Sequence, residues 1–291
     1  MVYLIDASVY VFRAYFAIPD HITDPAGNPV NAVYGFARFL AEFLDECQPQ
    51  YVAVAFDQSL TTSFRNDIYP DYKANREKPP AELKAQFAHC RALCDALGLQ
   101  QLASPAFEAD DLIGTLASLA HSAGLPVTIV SRDKDLAQLI RQDDIYYEFA
   151  SRSRMDYDGV AAKFGVPPER IGDWLALTGD SVDNIPGVPG IGPKTATALL
   201  AGFADIDALY AALDEVADLP IRGASKLPQR LKRHTAEVEL ARQLTHIKCD
   251  IPLDIALDDL RRQPTGVGLD SLFDELGFGQ QLRQELRRLG V

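Results

Sequence analysis

The first 183 residues alternate short apolar runs with longer amphipathic stretches. Residues 2–5, 51–56, 126–130 and 145–149 are rich in β-branched and aromatic side chains, which is typical of strands. Between these runs, apolar residues recur at helical spacing, as in residues 31–46 and 81–97. This alternation predicts an α/β fold with a mostly parallel central sheet flanked by helices.

The pattern changes near residue 184, where the sequence NIPGVPGIGPK leads into a predicted helix over residues 195–200. Beyond it the chain reads as helices, and basic residues gather at Arg222, Lys226, Arg230, Lys232 and Arg233. We therefore predict an α/β core over residues 1–183 and a helical region over residues 184–291 that packs against it.

Composition narrows the class of protein. No secretory signal and no run of 18 apolar residues is present, so a cytoplasmic location is expected. Cys90 and Cys94, beside His89, could imitate half a zinc site, but no second ligand pair follows at zinc spacing, so buried thiols are the expected reading. The net charge of −13 means that any affinity for nucleic acid must come from local basic surfaces.

Carboxylates follow three of the predicted strands. Asp6 ends the first, Asp57 ends the second, and Asp133 and Asp135 follow the third. One such Asp is an ordinary loop or cap residue. Because the carboxyl ends of parallel strands meet at one edge of a sheet, four are expected to converge there.

Two further acidic groups lie nearby in sequence. Glu108, Asp110 and Asp111 begin a predicted helix of about 14 residues, where acids also complement the helix dipole. Asp180 and Asp183 precede the glycine-rich segment. Nine carboxylates with few histidines suit Mg²⁺ or Mn²⁺, and two such ions about 4 Å apart can promote phosphodiester hydrolysis. The spacing G-x-x-x-x-G-K-[ST] of a nucleotide-binding loop is not found here.

A segment between two predicted elements interleaves basic and aromatic residues. Arg65, Lys73 and Arg76 could bind phosphates, and Tyr72 could offer a stacking face. A solvated loop of mixed charge explains this segment equally well.

Residues 187–194 predict a tight turn between two helices. Its backbone N–H groups and the following helix N-terminus can contact phosphates without reading bases. Three glycines and several prolines are more than a generic turn needs, which favours binding of a DNA backbone.

Taken together, these motifs resemble the 5′-3′ exonuclease and flap endonuclease family, in particular the N-terminal nuclease domain of bacterial DNA polymerase I and its free-standing relatives. The resemblance spans the chain and is carried by YLIDASVYVFRAYFA, AFDQSLTTSFRNDIYPDYKANREKPP, FEADDLIGTLA, VSRDKDL, LTGDSVDNIPGVPGIGPKTA, IRGASKL and THIKCD.

The resemblance implies a PIN-like 5′ nuclease core with a helical arch around residues 60–90, followed by a helix-three-turn-helix motif that binds duplex DNA. It assigns two divalent ions to Asp6, Asp57, Glu108, Asp110, Asp111, Asp133, Asp135, Asp180 and Asp183. Lys73 and Arg76 would act on the scissile phosphate together with the carboxylates of Asp133 and Asp135. DNA would contact Arg65, Tyr72, Lys73, Arg76, Gly187, Gly190, Gly192, Lys194 and Thr195. A potassium ion would bind backbone carbonyls at Val188 and Ile191.

The expected activity is metal-dependent hydrolysis of DNA at 5′ ends, nicks and flaps, in replication or repair, by a monomer that acts beside a separate DNA polymerase. Two alternatives remain at this point. One is a DNA-junction binding protein that keeps the fold without cutting. The other is an RNA-cutting nuclease of the shorter PIN type, which shares an acidic parallel sheet.

Overall fold

A six-stranded sheet forms the centre of the protein. The structure is a computed structural model that describes residues 1–59 and 61–289. The strand order is β3-β2-β1-β4-β5-β6, with β1 to β5 parallel and β6 antiparallel to β5. The strands are Val2–Asp6 (β1), Tyr51–Asp57 (β2), Gln100–Ser104 (β3), Val127–Val130 (β4), Ile145–Glu148 (β5) and Ser153–Met155 (β6).

Helices cover both faces of the sheet and make up the rest of the fold. They are Ala7–Ala17 (α1), Asn31–Cys47 (α2), Phe64–Ile68 (α3), Ala81–Ala96 (α4), Ala109–Ser122 (α5), Tyr157–Phe164 (α6), Ile171–Thr178 (α7), Pro193–Gly202 (α8), Ile206–Ala211 (α9), Leu227–Arg233 (α10), Thr235–Thr245 (α11), Leu269–Glu275 (α12) and Gln280–Arg287 (α13). Short 3-10 helices lie at Lys134–Leu139, Phe149–Ser151, Pro168–Arg170, Leu213–Asp218, Ala224–Lys226 and Leu257–Leu260.

The predicted α/β class and the four predicted strands are confirmed. Two edge strands, β3 and β6, have no apolar run in the sequence. The strand β3 reads QQLAS and has one buried side chain, Leu102, while β6 reads SRM and has none. An edge strand that is covered on one side only does not need the continuous apolar run that marks a central strand.

Successive side chains of the central strands pack alternately into two separate hydrophobic cores, one on each face of the sheet. Leu4 and Ala55 point to the side of α5, whereas Ile5 and Phe56 point to the side of α1, α2 and α4. This period of two is what a strand buried on both faces requires.

The predicted helical region divides between these two cores. Helices α7 to α11 pack on the α5 side of the sheet. Helices α12 and α13 instead return to the opposite side, where Phe273 and Leu286 are buried against α2 and α4. The ring of Phe278 meets Tyr34 edge to face at 5.6 Å. The last two helices therefore belong to the core that contains α1, α2 and α4.

The predicted arch, the cysteines and the absence of an apolar span can each be compared with the structure. The region predicted as an arch contains α3, turns and the first half of α4, and its residue Leu60 lies outside the described residues, as do Gly290 and Val291 of the predicted helical region. Cys90 and Cys94 are buried in the core, as expected, and burial raises the pKa of both thiols. Within the described ranges, no helix is long and apolar enough to cross a membrane.

Candidate metal centre and nucleic-acid interface

The carboxyl edge of the sheet brings Asp6, Asp57 and Asp133 together. Asp6 and Asp57 end neighbouring parallel strands, and the segment after β4 places Ser131 between Asp6 and Asp133. The hydroxyl of Ser131 donates to Asp6 Oδ2 (2.8 Å) and accepts the backbone N–H of Asp133 (2.9 Å). Asp57 accepts the backbone N–H of Ala109 at 2.9 Å, which fixes the start of α5, and hence Asp110, at the same edge.

These carboxylates interact unfavourably with one another. Burial raises the pKa of Asp6 to about 7, with a further contribution from the negative charge of Asp57. Burial also raises the pKa of Asp110 well above its ordinary value, and Asp133, Asp6 and Asp57 add to this effect. Like charges in a poorly solvated site disfavour ionisation, whereas a bound cation favours it. A cation bound at this edge would therefore reduce the repulsion among the carboxylates.

A second carboxylate group lines an open cleft beside the first. Asp135, Asp180 and Asp183 share this cleft with Arg76 and Lys134. Asp180 is held by two backbone hydrogen bonds with Ile185, of 3.0 and 2.8 Å, in the turn that follows α7. Burial and the charge of Asp133 raise the pKa of Asp135 to about 7.

Two basic side chains form ion pairs with carboxylates of this second group. Lys134 Nζ donates to Asp180 Oδ2 at 2.5 Å and lies 3.4 Å from Asp135 Oδ1, and Arg76 pairs with Asp183. The sequence reading did not single out Lys134. Its position between Asp133 and Asp135 is a signal that could have identified it, since that position places a basic side chain near the predicted carboxylate edge.

The residues at this edge suit hard divalent ions. The potential ligands are carboxylate oxygens, and the buried Oδ1 of Asp135 accepts no hydrogen bond. Among residues 1–59 and 61–289, no three His, Cys, Asp or Glu side chains converge as a complete ligand set for one ion. Mg²⁺ commonly keeps several waters and takes only one or two carboxylates, so such convergence is not required.

Asp111 and Arg65 have a structural role, which corrects two predictions. Asp111 has no exposed surface, and both of its oxygens accept bonds from Arg65 (2.7 and 2.9 Å). Asp111 also caps α5 by accepting the backbone N–H of Glu108 at 3.1 Å. Arg65 is 2% exposed and donates to the carbonyls of Leu244 and His246. Neither side chain can reach a metal or DNA, because each is fully occupied by the other and by the backbone.

Tyr72 is also misassigned as a stacking surface for DNA. It is 3% exposed, and its hydroxyl donates to Glu108 Oε2 (3.0 Å) and Asp183 Oδ2 (3.3 Å). Lys73 Nζ donates to Glu108 Oε1 at 2.9 Å. Each oxygen of Glu108 thus accepts a hydrogen bond from the protein, and Lys73 and Arg76 lie at the carboxylate edge.

The glycine-rich turn packs tightly on its inner side and is open on its outer side. A Cβ at Gly187 would lie 2.3 Å from the backbone of Thr178, and Val188 and Ile191 bury their side chains in the core. The N–H of Ile191 bonds the carbonyl of Val188 at 2.9 Å, and potassium binding at these two residues stays a prediction. A Cβ at Gly192 would meet no atom within 4 Å.

The outer side of the turn continues into the N-terminus of α8. Lys194 is exposed there, and Thr195 is half-buried with its N–H bonded to the Gly192 carbonyl at 3.0 Å. Gly190 adopts a left-handed conformation (φ +79°) next to the guanidinium of Arg230. Gly190, Gly192 and Lys194 are thus exposed on the outer side of the turn, whereas Gly187, also predicted to contact DNA, packs on its inner side.

Comparison with known families places two models end to end on the chain. Residues 1–165 match the N-terminal resolvase-like domain of 5′-3′ exonucleases, and residues 166–267 match their C-terminal SAM fold. The models meet upstream of the boundary that we predicted between residues 183 and 184. That boundary stays a prediction.

Curated relatives and solved structures agree with these matches. The chain is 43% identical to DNA polymerase I of Pseudomonas aeruginosa over 98% of its length and 36% identical to that of Bacillus subtilis over 97%. It spans about a third of the length of these relatives (31% and 32%). The T5 D15 protein co-crystallised with metal ions is similar in fold (TM-score 0.69, 17% identity, 99% and 97% of the two chains), as is the catalytic core of Rad2 in complex with DNA substrate (TM-score 0.61, 16% identity, 99% and 92%).

Replacing Arg65 by Met tests its structural role. The change leaves the buried Asp111 carboxylate unpaired, so we expect the free energy of unfolding to fall by about 3–5 kcal/mol. Urea denaturation measures it, with Arg76→Met as the control, since Arg76 is partly exposed. Equal stability of the Arg65→Met variant and the wild type would contradict the role given to this pair.

The turn allows a similar comparison between two of its glycines. Gly187→Ala forces backbone atoms apart and should cost roughly 1–3 kcal/mol or more of unfolding free energy. Gly192→Ala has open space for its Cβ and should change stability little. A Gly187→Ala variant as stable as Gly192→Ala would show that the inner side of the turn is looser than described.

Proposed function

Because the chain belongs to the 5′-3′ exonuclease family, we propose that it is a structure-specific, divalent-metal-dependent nuclease that hydrolyses DNA phosphodiesters next to a 5′ end or flap. The observation that carries the proposal is the carboxylate edge, where Asp6, Asp57, Asp110 and Asp133 lie beside Asp135, Asp180 and Asp183. A role in replication or repair accords with relatives that are DNA polymerases and with the Rad2 structures.

Two ions, Mg²⁺ or Mn²⁺, are the proposed cofactors. Asp6, Asp57, Asp110 and Asp133 would hold one ion, and Asp135 with Asp180 and Asp183 would hold the other. When bound, such ions supply an activated water and neutralise charge on the phosphate and leaving oxygen. The T5 protein named above was crystallised with metal ions, which supports this assignment.

The basic residues of the edge have a separate task. In the protein alone, Lys73, Arg76 and Lys134 neutralise Glu108, Asp183 and Asp180. Arg76 and Lys134 are partly exposed in the cleft, so they can turn from a carboxylate to a phosphate oxygen of the substrate. Positive groups placed where negative charge develops stabilise the transition state.

Duplex DNA is the proposed partner, bound through the turn at residues 187–192 and through Lys194 and Thr195. The N-terminus of α8 is exposed at Gly192 and Lys194 and offers a favourable dipole to phosphates. Potassium bound at Val188 and Ile191, a separate DNA polymerase and a monomeric state remain proposals that rest on the family resemblance.

Cleavage of a 5′-labelled DNA flap tests the function. Wild-type protein should release short 5′ fragments with Mg²⁺ or Mn²⁺ and none with EDTA. Asp135→Asn should lower the rate at least about a hundredfold, because it weakens an ion ligand without changing its size. Failure of every divalent ion to support cutting of flap, nick or duplex end would leave a DNA-junction binding protein, and faster cutting of a matched RNA flap would favour an RNA nuclease.

Lys194→Ala tests the proposed path of the DNA. Removing this charge should weaken duplex binding to a similar degree for all sequences, because a backbone contact carries no base information. Lys194→Arg keeps the charge and should bind as the wild type does. Titration of several duplexes of different sequence measures this, and a loss confined to one sequence would contradict the assignment.

A further inference from the structure

Apart from the contact of Arg230 with Gly190, the basic residues between positions 222 and 233 take no part in the surfaces described so far. Arg222, Lys226, Arg230, Lys232 and Arg233 occur in a segment that contains no Asp or Glu, although the whole chain has a net charge of −13. Because the protein as a whole is negatively charged, a local cluster of positive side chains favours binding of a negatively charged ligand at that surface.

Helix geometry places three of these residues on one face. The 3-10 helix Ala224–Lys226 leads directly into α10, whose Leu227 and Leu231 are buried in the core. Lys226, Arg230 and Arg233 are spaced i, i+4 and i+7, so they lie in a row along the helix. This row is the basic stripe. Lys232 lies roughly 120° away from it around the helix axis.

The basic stripe is joined to the glycine-rich turn by Arg230. Its Nη1 donates to the carbonyl of Gly190 at 3.2 Å. A Cβ at Gly190 would lie 2.6 Å from that nitrogen, so a larger residue at position 190 would displace the guanidinium from its present position. A guanidinium carries five N–H donors, and this bond uses one, so others remain for a phosphate.

The other two members of the basic stripe carry free charges. Lys226 and Arg233 are exposed, and within the described part of the chain neither side chain donates a hydrogen bond or forms an ion pair. From Lys226 to Arg233 the helix rises roughly 10 Å, which matches about three base-pair steps of duplex DNA at 3.4 Å each. The spacing and charge therefore suit a run of phosphates on one strand.

We infer that the basic stripe is a second phosphate-binding surface, which extends the duplex contact of the turn at residues 187–192 along the DNA. The inference rests on the proposed function, since it takes DNA as the ligand. Arg230 links the two surfaces, while Lys226 and Arg233 add contacts to phosphates beyond the reach of Lys194.

Salt-dependent binding tests the inference. Wild type, Lys226→Ala/Arg233→Ala and Lys232→Ala are titrated with a fluorescent 5′-flap duplex in Ca²⁺, at KCl concentrations between 50 and 200 mM, with a gel to verify that the DNA stays uncut. Loss of two phosphate contacts should make the plot of log affinity against log salt shallower by about 1.8, so the double variant loses roughly tenfold less affinity over this range. The variant should also bind more weakly than wild type, and Lys232→Ala should change the slope by less than half as much.

Parallel cleavage assays with Mg²⁺ separate this inference from the nuclease proposal. If wild type binds and cuts the flap but the double variant has the wild-type slope, the inference is overturned and the nuclease stands. If the slope flattens as expected but wild type cuts nothing, the basic stripe stands and the nuclease proposal fails. Absence of DNA binding by wild type would overturn both.

Discussion

Repulsion among the carboxylates at the edge of the sheet is the constraint on which the site depends. Two like charges 4 Å apart repel by about 1 kcal/mol in water and by about 4 kcal/mol at the effective dielectric constant of a protein surface. The parallel strands nevertheless end in Asp6 and Asp57 at one edge, and burial of Asp6 adds to the cost. Folding is compatible with this arrangement because basic side chains neutralise part of the negative charge. A divalent ion would neutralise more.

An ion pair also connects the α/β core to the helical region. Arg65 and Asp111 form a buried pair in which the guanidinium also reaches the carbonyls that end α11, at Leu244 and His246. Asp111 in turn fixes the start of α5, whose first turn carries Asp110 at the carboxylate edge. This ion pair therefore helps to position the helical region relative to the carboxylates, together with the hydrophobic core that α5 shares with α7 to α11. A buried ion pair of this kind fixes the relative position of the two segments but adds little net stability, because the cost of desolvating the two charges offsets their attraction.

The sequence allowed the central strands, the α/β class and the acids at the strand ends to be predicted, since apolar periodicity and the topology of parallel sheets decide them. It could not show which acids are free. Asp110 and Asp111 are adjacent in sequence, yet one faces the edge and the other faces Arg65, a difference of about 100° around the helix. Tyr72 and Lys134 show the same limit, because tertiary contacts decide whether a polar side chain faces solvent, a carboxylate or a phosphate. The return of α12 and α13 to the opposite face likewise leaves no local signal.

The most direct test of the account is calorimetric titration of the protein with Mn²⁺ in the absence of DNA. If the carboxylate edge is an ion-binding site, wild type should bind the cation with measurable heat, and Asp135→Asn should bind it more weakly or with fewer sites. Neutralising Lys134 should not abolish binding, since that lysine competes with the cation for Asp180. If wild type does not bind Mn²⁺, or if the Asp135→Asn variant binds as wild type does, the carboxylates do not form a metal centre and the central claim is wrong.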